Sequence, residues 1–408
     1  MQYLNTTSED ALSYLINYNV FLTGPPGSGK SYLTKQYIDY CKKNKIKVGI
    51  GASTGIAGKI LGGHTIHSLT GINIIYDNDE YKDVFDRVNS NYRKKLFWKK
   101  TQALIIDEIS LLDKKTFSFL DKIGRDIRGV DKPFGGIRLL VVGDFFQLPP
   151  VNGDYAFKYD EWDNCFHYAI NLTNIYRSKD DNLTKILQRI RKGKELKDWM
   201  IDLLKCCESD NDIYPVLVPK KNMANSINKN NLKKNVYEPI KIEANYYFDE
   251  KKAYLKDTIK KMCNMCDELV LKRGCPLMML VNDKSKGLVN GQIGTFIKIE
   301  DGNIFVEFNE CKYKIKRHMW SYTTVNGDLI SMEQYPLMLC YSITIHKSQG
   351  QTLSQASIVL DTNVWEKGQG YVALSRLESL EGLHLKKFNP YIFKVDKTVK
   401  KYYKKFKE

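Results

Sequence analysis

The chain has 408 residues, with 63 Lys and Arg against 47 Asp and Glu and a formal charge of +16. With 43% hydrophobic and 27% charged residues, it has the make-up of a globular chain of two or three domains; a disordered or collagen-like chain is excluded. The cationic excess points to a polyanionic partner, nucleic acid being the commonest, while a lysine-rich, AT-biased coding composition is the alternative source of the charge. The 9 cysteines are irregularly spaced, and Cys263-Asn-Met-Cys266 is a lone C-x-x-C. They read as reduced thiols of an intracellular protein rather than as a zinc site or a disulfide framework. No apolar run reaches the length of a membrane span, and the polar, acidic Met1 to Asp10 does not read as a signal or transit peptide.

Taken in order, Leu4 to Tyr18 carries Ala11, Leu12, Leu15 and Ile16 at helical spacing, which predicts a helix leading into the next element. That element is Gly24-Pro-Pro-Gly-Ser-Gly29-Lys30-Ser31, a G-x-x-x-x-G-K-S loop between a β-favouring run, Asn19 to Leu22, and a helix-compatible run, Tyr32 to Cys41. Strand, glycine loop and helix are the context in which this motif cradles phosphate. Within Gly24, Pro25, Pro26, Gly27, Ser28 and Gly29, the loop expected to hold the nucleotide, the glycines let the backbone curl so that successive N–H groups face an anion, and the helix start adds partial positive charge. Lys30 is expected to reach the β- and γ-phosphates, and the Ser31 hydroxyl to ligate Mg²⁺.

Lys47 to Gly55 predicts a second strand, which places Ser53 and Thr54 at the carboxyl edge of an α/β sheet, where ligands bind. Gly62-Gly-His64-Thr65-Ile66-His67-Ser68 lacks the further ligands of a metal site and reads as a loop touching phosphate. Tyr92-Arg-Lys-Lys-Leu-Phe97-Trp98-Lys-Lys is either a clamp of basic and aromatic residues for nucleic acid or an amphipathic helix with its aromatics partly buried. Ala103-Leu-Ile-Ile-Asp107-Glu108 is an apolar strand ending in two carboxylates: Asp107 to hold Mg²⁺ and Glu108 to orient and deprotonate the attacking water. Ile137 to Val142 is another apolar strand, followed by Gly143-Asp144-Phe-Phe-Gln147 and two prolines, with Gln147 placed to sense the γ-phosphate.

Past Pro150, Asn182 to Lys192 predicts a basic helix, Tyr214 to Pro219 a strand, and residues 223–268 a lysine- and asparagine-rich, mostly helical stretch. From Gln292 to Tyr322 the period changes to two, and Asp301-Gly302-Asn303 between Ile299 and Ile304 signals a hairpin. Pro336 to Ile345 returns to the α/β pattern and ends in His346-Lys347-Ser-Gln-Gly350, read as contacting DNA phosphate or the nucleotide. Lys394 to Glu408 reads as a solvated basic tail.

Several of these stretches carry a family resemblance. Ala52-Ser-Thr-Gly55, Gly63-His-Thr-Ile-His-Ser68, Glu108-Ile-Ser-Leu-Leu-Asp113, Pro133-Phe-Gly-Gly-Ile137 and Gly143 to Val151 resemble the Pif-type (petite integration frequency) DNA helicases of superfamily 1B. Ile175-Tyr-Arg177, Gly287-Leu-Val-Asn-Gly291, Thr344 to Gly350 and Tyr371-Val-Ala-Leu-Ser-Arg376 continue the match, in the family's order, over about residues 20 to 385. The resemblance implies two RecA-like domains in an α/β fold: 1–172, with a wedge insertion at 71–100, and 173–290 with 336–395. A small SH3-like β-barrel is expected at 291–335 and the basic tail at 396–408.

It also implies an ATP- and Mg²⁺-dependent helicase that moves 5′-to-3′ on single-stranded DNA as a monomer, with single strands and strand junctions as partners and no membrane. Arg177 and Arg376 are expected to face the γ-phosphate and Gly350 the nucleotide, with Ser53, Thr54, Thr65, His67, Asn290, His346 and Lys347 on the DNA. Two positions depart from the family pattern. No glutamine stands in the first helix, where the chain reads Thr6-Thr7-Ser8, and Ser178 follows Arg177 where the family has glutamine. A nucleotide kinase and an ATP-switched translocase or remodeller that does not unwind are the alternatives. A kinase needs neither the second α/β half nor the +16 charge.

Overall fold

In the computed structural model the chain is described from 1 to 408 except at 77, 177–179, 249–255, 264, 282, 284, 289, 324–328 and 408. Its residues group into two compact units: 1–209 with 352–354 and 360–408, and 210–351 with 355–359.

The first unit is built on a sheet of seven parallel strands. They are β1 (Gln2–Thr6), β2 (Val20–Thr23), β3 (Val48–Ala52), β4 (His64–Thr65), β5 (Ala103–Asp107), β6 (Arg138–Val142) and β7 (Tyr168–Leu172), in the spatial order β1-β7-β2-β6-β5-β3-β4. The connecting helices are α1 (Ser8–Asn17), α2 (Lys30–Lys43), α3 (Gly55–Ile60), α4 (Ile66–Thr70), α5 (Tyr81–Ser90), α6 (Tyr92–Lys100) and α7 (Lys114–Arg128). Val20 to Leu22 of β2, Ala103 to Ile106 of β5 and Leu139 to Val142 of β6 are apolar runs because both faces of a parallel sheet are covered. Val20, Leu22, Ile105, Leu140 and Val142 share one core with Leu33, Tyr37 and Ile38 of α2. The adjacency of β3, β5, β6 and β2 brings all the motif-bearing loops of the first half to one edge, since they lie at the carboxyl ends of neighbouring strands.

Two expectations change here, and one open alternative is decided. The run from Leu4 to Tyr18 is two elements: β1, paired in parallel with β7 from Gln2↔Tyr168 to Thr6↔Leu172, and then α1. The apolar spacing belongs to α1 alone, and the strand's backbone groups are satisfied by β7, a partner distant in sequence. The loop expected at His64 to Ser68 is the short strand β4 and helix α4, whose first turn is capped when the Thr65 hydroxyl accepts from Ser68 N at 3.3 Å. In the aromatic-basic stretch, Trp98 is buried and donates from Nε1 to Thr70 O at 3.1 Å, while Arg128 caps the end of α6 through Trp98 O at 2.9 Å. The amphipathic-helix alternative therefore describes α6, and Tyr92 is the aromatic of this stretch that stays exposed.

The supposed tail is also part of the core. Residues 397–403 form a helix whose Val399, Tyr402 and Tyr403 are buried, as is Phe406 beyond it, while Lys397, Lys401, Lys404 and Lys405 face solvent. The Tyr402 hydroxyl accepts from Trp162 Nε1 at 2.9 Å, and its ring stacks on Phe157 at 4.4 Å. Burial of each aromatic contributes roughly 2 kcal/mol, which outweighs any tendency of the lysines to stay free in water. This packing groups 360–408 with the phosphate-loop half rather than with residues 210–351.

The second unit contains a small parallel arrangement, with Val216–Val218 between Ser342–Thr344 and Ala356–Leu360. The stretch expected to be mostly helical contains the helix Lys221–Lys234, but also Ile240–Glu243 paired antiparallel with Glu268–Leu271. The hairpin at Ile293–Glu300 and Asn303–Phe308 is formed; Asp301 and Gly302 turn it with φ of 47° and 67°, the left-handed pair of a tight two-residue connection. The β region runs past 291–335, because Ile293–Glu300 also pairs with Pro276–Met279, and Leu329–Gln334 with Asn245–Tyr247. Its core is made by Leu277, Met279, Phe296, Val306, Phe308 and Leu337.

Candidate nucleotide site

The glycine loop leaves β2 at Thr23 and closes into α2 at Lys30. Gly24, Gly27 and Gly29 take φ of 150°, 77° and 89°. At Gly24 a Cβ would lie 2.7 Å from Ser28 Oγ and 2.8 Å from Leu172 O, so the loop closes only around a glycine. Ser28 is buried, and its Oγ has no hydrogen-bond partner among the described residues. Lys30 arches back over the loop and donates from Nζ to Gly24 O at 2.7 Å and Pro25 O at 2.9 Å. Burial lowers its pKa to about 8, against the opposing pull of Asp144, Glu108 and Asp107. Ser31 is exposed on the first turn of α2. Pro25 is buried and Pro26 partly so, which stiffens the entry to the loop.

Asp107 ends β5, and its Oδ1 accepts from Glu108 N at 2.9 Å. Burial, and next the Glu108 charge, raise its pKa above the usual carboxylate range. Glu108 itself stands in the left-handed region at φ 53°, ψ 46°. Such a backbone costs roughly 1–2 kcal/mol and persists where its surroundings over-determine it. Ser53 supplies part of that constraint, donating from Oγ to Glu108 O at 2.8 Å and from its backbone N to Asp107 O at 3.1 Å. Gly143, at the end of β6, approaches so closely that a Cβ there would lie 2.9 Å from Ile109 N.

Beyond β6, Asp144 is fully buried and accepts from Arg191 Nε at 2.9 Å and Nη2 at 3.0 Å. Arg191 lies on helix α8 (Asp181–Arg191), and its guanidinium also stacks over Phe146 at 4.7 Å and Tyr403 at 5.3 Å. Burial works against its charge, but Asp144 more than offsets this and holds the guanidinium firmly protonated. Gln147 is buried, and its Oε1 has no hydrogen-bond partner among the described residues. Gly368 presses on this segment, since a Cβ there would meet Gln147 O at 2.5 Å.

Lys30, Asp107, Glu108 and Gln147 thus come from the carboxyl ends of adjacent strands, as their spacing predicts. The other expected residues make the following contacts. Ser53 braces Glu108. The Thr54 hydroxyl accepts from Ala57 N at 3.2 Å and Thr65 caps α4, so both organise short helices. His67 is partly buried, and burial holds its pKa below the ordinary value. Arg376 is buried beside the helix Gln369–Leu374; its Nε donates to Val372 O at 2.9 Å and its Nη2 to Ser375 Oγ at 2.8 Å. Arg177 lies outside the described residues.

In the second unit, Asn290 donates to Leu280 O at 2.6 Å, while His346 and Lys347 lie within the turn Ile345–Ser348, capped by Thr344. Burial lowers the pKa of both His346 and Lys347. Gly350 adopts φ 81° at the close of that turn. Sequence reasoning missed Arg191, Tyr403 and Gly368; Arg191 was only one cation of a basic helix.

A cavity of about 590 Å³ opens beside the end of β1, lined by Leu4, Asn5, Thr6, Asp10, Ser13 and Tyr14. The cysteines with described side chains are free thiols, and among the described residues no cluster of His, Cys, Asp or Glu is arranged to hold a metal ion. No helix, among the described residues, is long and apolar enough to cross a membrane.

A glycine loop with its lysine, strand-end carboxylates and a buried glutamine on one sheet edge define a phosphate-loop nucleotide-binding unit. The chain belongs to the PIF1-like helicase family, whose model matches residues 8–212. It is 34% identical over 397 residues to the ATP-dependent DNA helicase Pif1 of Bdellovibrio bacteriovorus, covering 95% of this chain and 88% of that protein. Other relatives are longer, and the chain spans 61% and 62% of the length of two of them. The fold is similar to the Pif1 helicase of Candida albicans, with a TM-score of 0.88, 28% identity and 99% of each chain covered. It is also similar to a Bacteroides Pif1 helicase in complex with ADP-AlF3 and ssDNA, with a TM-score of 0.73, 28% identity and 98% and 97% of the two chains covered.

Proposed function

We propose that this chain is the motor of an ATP-driven DNA helicase that moves along single-stranded DNA and separates duplexes, in the 5′-to-3′ direction. The observation that carries the reading is the convergence of Lys30, Asp107, Glu108 and Gln147 on one edge of a parallel sheet, in a chain of this family. The buried Ser28 Oγ and Gln147 Oε1, which have no hydrogen-bond partner among the described residues, fit a site whose remaining hydrogen bonds go to a ligand.

In this reading Gly24 to Gly29 wrap the phosphates, and Lys30 turns from the loop carbonyls to the β- and γ-oxygens. Glu108 takes the proton of a water whose oxygen attacks the γ-phosphorus, the bond to the β–γ bridging oxygen breaks, and ADP and phosphate leave. Gln147 orients the γ-phosphate, and Arg177 and Arg376 neutralise its developing charge. Ser31 and Asp107 offer the hydroxyl and carboxylate oxygens that suit Mg²⁺, which when bound neutralises charge on the phosphates. Ser53, Thr54, Thr65, His67, Asn290, His346 and Lys347 line or support the path of the DNA, which binds as a monomer's substrate. The two units are RecA-like domains, residues 71–100 form the wedge, and the strands at 291–335 form an SH3-like module that guides the strand.

Strand separation on duplexes with 5′ or 3′ single-stranded tails tests the reading. Unwinding of the 5′-tailed substrate, lost in Lys30→Ala, is expected. ATPase stimulated by single strands without any separation would establish a translocase or remodeller instead, and stimulation by a small acceptor but not by DNA would establish a kinase.

A further inference from the structure

We infer that the hydroxyl of Tyr403, near the end of the chain, is a positioning element that fixes the phosphate loop against the strand end carrying Gln147; this rests on the nucleotide-hydrolysis reading above. Tyr403 OH lies 2.6 Å from Thr23 Oγ1, and Thr23 is the fully buried residue immediately before Gly24. It accepts from Phe145 N at 3.2 Å, two residues before Gln147, and donates to Asp144 Oδ1 at 3.4 Å. A phenol has one donor and two acceptor positions. With the proton given to Asp144, Phe145 N–H and the Thr23 hydroxyl fill the two acceptor positions, so the group is saturated and its orientation is fixed.

The three partners sit at the ends of the neighbouring strands β2 and β6, which pair from Val20↔Leu140 to Leu22↔Val142. Their backbone ladder ends at Gly143 N to Leu22 O, 3.1 Å. Beyond that bond the two chains part, one to curl as the phosphate loop and the other toward Gln147. Tyr403 is the bridge across the gap they leave. Its ring is held between Phe146, at 4.4 Å, and Phe406, at 5.4 Å, and Arg191 stacks over it. An element separated from the loop by most of the chain therefore sets the spacing between the group that grips the β-phosphate and the group that senses the γ-phosphate.

Two variants remove the bridge from opposite sides while keeping the apolar packing: Tyr403→Phe and Thr23→Val. Tyr402→Phe is the control, because it deletes a hydroxyl of the same helix that serves Trp162 and touches neither strand end. Affinities for ADP and for a non-hydrolysable ATP analogue are measured by titration, together with the thermal midpoint and DNA-stimulated kcat and KM. Losing one buried hydrogen-bond node is expected to change the relevant equilibrium about three- to tenfold. Tyr403→Phe and Thr23→Val are expected to bind ADP within about twofold of wild type, to lose about three- to tenfold of the preference for the ATP analogue over ADP, and to lower kcat more than they raise KM.

Tyr402→Phe is expected to lower the thermal midpoint without changing the nucleotide preference. A wild-type preference in both bridge variants, or the same loss in Tyr402→Phe, overturns the inference. Because the analogue-to-ADP ratio requires no turnover, it still decides the matter if the wild-type protein proves inactive, an outcome that would by itself refute hydrolysis.

Discussion

Asp144 and Arg191 form a buried, two-pronged ion pair, 2.9 and 3.0 Å long, directly behind the segment that carries Gln147. Asp144 ends a strand motif and Arg191 ends a helix 47 residues later. Their pairing ties α8 to the sheet at the phosphate-loop edge, and the flat guanidinium lies over the neighbouring rings of Phe146 and Tyr403.

Arg191→Ala should therefore destabilise the fold by about 3–5 kcal/mol, because it leaves a carboxylate buried without its partner. Arg191→Lys should recover only part of this, since an ammonium provides neither the fork nor the stacking plane. Urea unfolding of the variants checks both, and the double variant Arg191→Met/Asp144→Leu should be less destabilised than Arg191→Ala. Equal stability of Arg191→Ala and wild type would mean that water replaces the guanidinium.

Lys30→Ala should abolish most nucleotide turnover in a folded protein, while Glu108→Gln should bind ATP and turn it over at least ~10²-fold more slowly, the usual scale of general-base catalysis. Equilibrium binding and single-turnover rates separate the two. Glu108 carries backbone strain of its own, so Glu108→Gly should gain stability as it loses activity. Normal turnover by Glu108→Gln would place the base elsewhere.

Arg376→Ala and Arg177→Ala should each cut DNA-stimulated ATPase by at least about a hundredfold, a discounted use of the roughly 10³–10⁵ span of arginines that meet a transferring phosphoryl group. Single-strand affinity should stay nearly unchanged. Arg376 is already held by Val372 O and Ser375 Oγ, so Arg376→Ala should also melt earlier, and Arg376→Lys separates lost charge from lost packing. A variant that keeps its ATPase but releases DNA would move that arginine to the DNA path.

Acidification should destabilise the protein through His67 and His346. Burial keeps both below the ordinary histidine pKa in the folded state, although Asp113 pulls His67 the other way. Between the lowered folded value and the ordinary value near 6.5, the unfolded chain binds more protons, so stability rises with pH through that window and falls as pH drops below about 6.5. Thermal midpoints from pH 7.5 to 5.5 should fall less in His67→Gln and His346→Gln than in wild type. Unchanged slopes would assign the acid sensitivity to other groups.

The layout of the phosphate-loop edge was largely legible in the sequence because its parts are local. A glycine loop needs glycines at fixed offsets, as Gly24, Gly27 and Gly29 show, and a buried parallel strand must be an apolar run that stops where polar residues begin, as at Asp107. The alternation around Asp301-Gly302 likewise determined its hairpin. Tertiary structure decided what those local rules do not reach. Whether Lys394 to Glu408 stays in water depends on an aromatic surface made by Phe21, Phe145, Phe157 and Trp162, which exists only after the sheet has assembled. That Ser53 braces Glu108 depends on β3 lying beside β5. The choice of Arg191, among the cations of its helix, as the partner of Asp144 is of the same kind: burial of a charge selects its partner by three-dimensional proximity, and no periodicity along the chain encodes that.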